Sequence, residues 1–179
     1  MSDAARRPPW ELRRIPWATV GTALLLVVVH VWQVSDSEEL SGAALVRQGA
    51  RSLPHQLELG EWWRLLSAPL LHAGTFHLVA YLLYVGWLAE AALGASGLLL
   101  LWTACALGSM AASSVFTPLP AVGASGVAFG LLGALVALGW RFPERVPPRV
   151  RRAFGWPVLG FVAWFLWDEI GRASCRERV

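Results

Sequence analysis

The chain has 179 residues, of which 56% are hydrophobic and 15% charged, with 15 Lys and Arg against 12 Asp and Glu. Soluble domains carry about 25% charged residues, so this composition excludes an ordinary water-facing surface. The net charge of +3 is too small, and its arginines too clustered at segment ends, to indicate nucleic-acid binding.

The first residues, Met1–Arg14, form a short basic lead with Arg6, Arg7, Arg13 and Arg14. The apolar run Ile15–Val34 follows, close to the roughly 20 residues that cross a bilayer as a helix. No small-residue cleavage site follows it, so it reads as a span and not as a signal peptide. Clustered arginine on its leading side predicts a cytoplasmic N-terminus in the cell membrane. His30 within this span is read as a hydrogen-bonded structural residue. Ser35–Leu66 is an outer loop of mixed charge that is half apolar, the composition of short amphipathic helices lying in the outer leaflet.

Leu71–Ala89 is a second span, interrupted by His72 and His77. His77, Tyr81 and Tyr84 fall at i, i+4 and i+7, one helical face, and polar groups at membrane depth usually face a bundle interior or cavity. His72 and His77 lie on different faces and no HExxH is present, so a zinc site is not expected. After a turn at Gly94–Gly97 comes a third span, Gly97–Phe116, with Cys105 as a small residue inside it. A turn at Thr117–Pro120 leads to the fourth, Val122–Trp140. Phe154–Trp167 is a fifth. Trp17, Trp32, Trp140, Trp156 and Trp167 bracket the spans as an interfacial aromatic belt does. Arg141, Arg145, Arg149, Arg151 and Arg152 fill the loop before the fifth span, again on the cytoplasmic side by count.

The fold class is therefore all-α, a polytopic membrane helical bundle. Residues 15–168 are its membrane domain, 1–14 the lead, and 169–179 a segment that does not belong. EIGRASCRERV places Arg172, Arg176 and Arg178 on the outer side, against the positive-inside rule. Its reverse translation resembles short-read adapter DNA, so we read 169–179 as read-through and expect the natural protein to continue.

Ser125 opens the fourth span. Amides in a helix's first turn lack intrahelical acceptors, and the local dipole favours negative charge, so an oxyanion is stabilised there. Taken alone, a serine in a membrane helix has a second reading, a bond back to a carbonyl one turn earlier. Gly126, Gly130 and Gly133 form a smooth face of the kind that lets helices approach closely. The register Gly123-Ala124-Ser125-Gly126 is not the Gly-x-Ser-x-Gly elbow of soluble hydrolases, and no strand precedes it.

Three blocks in order, Glu61-Trp62-Trp63-Arg64, His72-x4-His77-x3-Tyr81 and Gly123-Ala124-Ser125-Gly126, resemble the rhomboid intramembrane serine proteases across 60–138. The resemblance implies a six-span bundle, of which five are present here. It implies Ser125 as nucleophile, with His77 and the serine-loop backbone, including Gly123, binding the oxyanion. Trp63 and Arg64 would be the structural pair of the first outer loop, and Gly126 and Gly130 the packing scaffold. The family's base is a histidine on a sixth span, whereas the four histidines here (30, 55, 72 and 77) all precede Ser125. The family commonly has asparagine where Tyr81 stands, and Tyr81 would take its place at the oxyanion. Neither metal nor cofactor is implied. The implied partners are the lipid bilayer and transmembrane protein substrates, cut near the outer face; this chain as written is expected to be inactive. The alternative is a rhomboid-like protein that binds transmembrane clients without cutting them. A transporter is disfavoured by the lack of inverted repeats and the few intramembrane charges.

Overall fold

The computed structural model describes residues 15–36, 41–73 and 82–143. His77, Tyr81, the fifth expected span and the C-terminal segment lie outside them. Residues up to Leu131 form one compact unit, and those from Leu132 onward a second. Among the described residues the structure is helical, and its one β pairing is an isolated bridge between Arg51 and Ala121.

The first helix, α1 (Trp17–Asp36), has the length the first apolar run predicts. Its outward residues Leu24, Leu25, Val27, Val28 and Val31 are exposed, while Thr19, Leu26, His30 and Gln33 are buried. A buried stripe of this kind points into a bundle, and the apolar remainder suits lipid. The helix's N-terminus receives its partner from far along the chain. Glu90 accepts from the amides of Ala18 (3.2 Å) and Thr19 (2.7 Å) and from the Thr19 hydroxyl (2.6 Å). A carboxylate at the positive end of a helix, satisfying first-turn amides, is placed where both the dipole and the free donors favour it.

The outer loop folds into short helices, α2 (Gly42–Gln48), α3 (Leu53–Leu59) and α4 (Arg64–Ser67), the last running into a 3₁₀ turn over Ala68–Leu70. Ser41 caps α2 by accepting from the Ala44 amide at 3.3 Å. Gly49 closes it with φ +110, and a Cβ there would also meet the Trp63 ring at 3.0 Å. Leu57, Leu59, Trp62 and Leu66 are exposed, an apolar rim on a loop that has its own small core of Leu45, Ala50 and Leu71 packed with Val29, Val46 and Val122.

The long helix α5 (Leu82–Phe116) contains one non-helical residue, Gly94, at φ 76 and ψ 170. The sequence pattern predicts a turn over Gly94–Gly97; the structure compresses it to Gly94 alone, in a region of backbone space that glycine alone enters freely. The chain thus passes from His72, beside Gln33 near the end of α1, to Gly86 and Glu90, beside Thr19 near its start. The first turns of helix α6 (Ser125–Arg141) then approach the second half of α5. Gly126 faces Ser109 and Gly130 faces Cys105, each so close that a Cβ would collide, whereas Gly133 meets nothing within 4 Å. Two of the three glycines in that smooth face therefore make the approach. Gly126→Ala is expected to cost about 1–3 kcal/mol by overpacking against Ser109, read as a lower unfolding midpoint in mixed micelles, while Gly133→Ala should cost little.

Candidate active site

Ser125 is the first residue of α6 and is half-buried. The first intrahelical bond runs from the Ala128 amide to the Ala124 carbonyl at 3.0 Å. The amides of Ser125, Gly126 and Val127 precede it and have no acceptor within the helix. An oxygen anion formed next to the Ser125 hydroxyl would therefore meet N–H donors and the positive end of the helix dipole.

The approach to Ser125 is held from two directions. Gly123 has φ +106, a left-handed conformation in which a side chain would be strained. Its amide donates to the Ala68 carbonyl at 2.9 Å. The resemblance includes Gly123 in oxyanion binding, but here its N–H donates to Ala68, whereas the amides of residues 125 to 127 lack an acceptor within the helix. What Gly123 contributes is the sharp bend that brings the chain into α6. Two residues earlier, Ala121 exchanges backbone bonds with Arg51, each 3.0 Å.

Trp63 and Arg64 belong to the outer loop, at the start of α4. Arg64 is buried, at 5% exposure. It donates to Glu61 (2.7 Å) and to the carbonyls of Val46 (2.6 Å) and Ala50 (3.0 Å). Val46 lies in the last turn of α2, where a cation complements the dipole, and Ala50 lies just past its end. Its guanidinium also sits over the Trp63 ring, 4.8 Å from the centroid. Trp63 stacks on Gly49, and the Ser67 hydroxyl donates to the Gly49 carbonyl at 2.7 Å. The pair thus fastens α4 to the end of α2 and to Ala50, one residue before Arg51.

His72 is buried, its amide donating to Gln33 at 2.9 Å and its Nδ1 lying 3.3 Å from the Leu70 carbonyl. The His30 ring stands edge-on to it, with centroids 6.4 Å apart. These two histidines and Gln33 form a polar seam between α1 and the segment leading into the second span. His55 contacts Ser52 through Nδ1 at 2.9 Å. His77 and Tyr81 fall outside the described residues. Among the described residues no group of three or more His, Cys, Asp or Glu could hold a metal ion.

Arg51, Gln56 and Glu90 are structural residues that sequence reasoning passes over. Arg51 is fully buried, and burial pushes its guanidinium below the ordinary arginine value. Gln56 accepts from the Ser114 hydroxyl at 2.9 Å. For Arg51 and Gln56 the sequence signal is a polar residue in a half-apolar loop, which does not tell a buried side chain from a solvated one.

Residues 59–172 match the family model of the Rhomboid domain. The chain is 45% identical over 80 residues to Rhomboid protease GluP of Bacillus subtilis, a match that covers 43% of this chain and 16% of GluP. It is 32% identical over 177 residues to the uncharacterized protein Mb1372 of Mycobacterium bovis, covering 92% of this chain and 68% of that one. It is 30% identical over 152 residues to Rhomboid protease GlpG of Photorhabdus laumondii, covering 80% of this chain and 51% of GlpG. The chain therefore spans a minor part of GluP and about half of GlpG. No solved structure matches. A family model matched over most of the chain, on a helical membrane fold with Ser125 at the start of α6, leads to one conclusion: the chain belongs to the rhomboid family of intramembrane proteases.

Proposed function

We propose that this chain carries the nucleophile half of an intramembrane serine endopeptidase that cuts transmembrane segments of other proteins near the outer membrane face. The observation that carries this reading is the placement of Ser125 at the amide end of α6, half-buried, on a loop fixed by Ala68 and Arg51. The family membership and the rhomboid proteases among the relatives support it.

In the proposed reaction the Ser125 hydroxyl oxygen attacks the scissile carbonyl carbon and its proton passes to a histidine base. First-turn amides and His77 hold the resulting oxyanion. The protonated base gives its proton to the leaving amine as the peptide bond breaks. Water then hydrolyses the acyl-enzyme with the same base accepting its proton. The histidine is not one of the four in this sequence. We assign it to a span beyond Asp168, with the N-terminus in the cytoplasm and the helices crossing the membrane in alternation. The run 169–179 has no part in it.

The 179-residue chain is therefore expected to leave a membrane-embedded substrate uncut, and the same chain extended through its histidine-bearing span to cut it. Gel analysis of a reconstituted substrate reads the difference. Ser125-dependent cleavage by the 179-residue chain would refute the assignment of the base. The second reading, a client-binding protein without protease activity, is favoured by Tyr81 standing where the family commonly has asparagine. It predicts no cleavage by the extended chain and retention of the substrate instead.

A further inference from the structure

We propose that Arg51 is a positioning residue for Ser125, its buried guanidinium locking the end of α5 to the turn that leads into α6. The inference rests on the reading of Ser125 as nucleophile and goes beyond it by naming what sets the nucleophile's place. Among the described residues, the hydrogen-bond partners of Arg51 lie between residues 113 and 121. Nη1 donates to the Thr117 carbonyl at 2.9 Å. Nη2 donates to the Ser113 hydroxyl at 2.8 Å and to the Leu119 carbonyl at 2.6 Å. The Arg51 backbone adds the two bonds to Ala121.

The turn needs donors from outside. Pro118 and Pro120 have no N–H, so the segment cannot close on its own backbone bonds. Its one amide bond, Leu119 to the Thr117 hydroxyl, is 3.2 Å. The last helical bond of α5 runs from the Thr117 amide to Ser113 at 3.0 Å, so the carbonyls beyond it face out of the helix at the negative end of its dipole. A guanidinium offers several donors in a rigid fork and a permanent charge, matching several oxygens at once. Among the described residues the only salt bridge is Arg64–Glu61, so the charge of Arg51 is balanced by carbonyl and hydroxyl dipoles. From Ala121 it is four residues to Ser125, and Gly123 is fixed by Ala68 midway. With both ends held, the nucleophile and the first-turn amides keep one geometry, which catalysis needs to a fraction of an ångström.

Two measurements test this. Amide exchange of the 179-residue chain in bicelles does not depend on catalysis. Arg51→Ala should speed exchange at Leu119 and 121–124 by about tenfold or more through local opening, and leave α1 unchanged. Arg51→Lys should recover part of the protection. In the extended chain, Arg51→Ala should lower kcat while KM stays put, since placement of a bound substrate's attacker is lost and not its binding. Unchanged exchange at 119–124, an equal rise across α1, or local opening with kcat intact would each overturn the proposal. A Ser125→Ala chain that still cuts would instead sink the nucleophile reading, and the exchange result would stand apart from it.

Discussion

Ser125→Ala in the extended chain is expected to abolish cleavage, with a loss of kcat on the order of 10⁶, the scale seen when a serine hydrolase loses its nucleophile. The helix start, the Gly123 bend and the Arg51 clamp do not involve the serine hydroxyl in any bond among the described residues. Folding should therefore be preserved, and the variant should keep the unfolding midpoint of the parent. What remains is the electrostatic contribution of the first-turn amides acting on a water attack, which leaves only a small residual rate. The cleavage assay reads the loss, and an unfolding titration run beside it separates chemistry from structure. A variant that loses both activity and midpoint would place Ser125 in the scaffold.

Arg64→Ala is expected to be the most damaging change to stability, by about 3 kcal/mol, because buried carbonyls left without donors each cost about 1–3 kcal/mol. The Ala50 carbonyl is left in that state, and the Val46 carbonyl keeps only the Gly49 amide at 3.2 Å. Glu61 retains partial exposure, so the ion pair itself contributes little, and the loss comes mainly from the end of α2. The cation over the Trp63 ring adds about 0.5–1 kcal/mol. Because Ala50 adjoins Arg51, the damage should reach the Ser125 loop, and kcat should fall even under conditions where the protein stays folded. Arg64→Lys should recover less than half, since a single ammonium cannot match the fork that reaches Glu61 and two carbonyls. Steric-trap or micellar unfolding of the three proteins measures this. An Arg64→Ala midpoint equal to the parent's would contradict the account of the outer loop.

Much of the fold was legible because lipid imposes a length on apolar runs. Ile15–Val34 became α1, shifted by two residues, and Val122–Trp140 became α6, which starts three residues later at Ser125 and ends at Arg141. Spacing also pointed to Gly126 and Gly130 as the close-approach face, since residues four apart share one side of a helix. The clamps were not legible. Glu90 binds residues more than 70 positions away, and Arg51 reaches across more than 60. Local periodicity holds no record of such pairings, and a charged side chain in a loop looks solvated until its partners are known. Pro118 and Pro120 offer no N–H, yet nothing local in the sequence says which residue supplies the donors. The Gly123 amide shows the same limit, for its acceptor is the carbonyl of Ala68 in a distant 3₁₀ turn.

The central claim is that the hydroxyl at the head of α6 is the nucleophile. Exposing the extended chain in bicelles to an electrophilic phosphonate and locating the adduct by peptide mass spectrometry tests it most directly. The account predicts one adduct, on the peptide containing Ser125, lost in Ser125→Ala and reduced in Arg51→Ala. An adduct on Ser109, Ser113 or another serine with Ser125 unmodified, or equal labelling of Ser125→Ala, would contradict it.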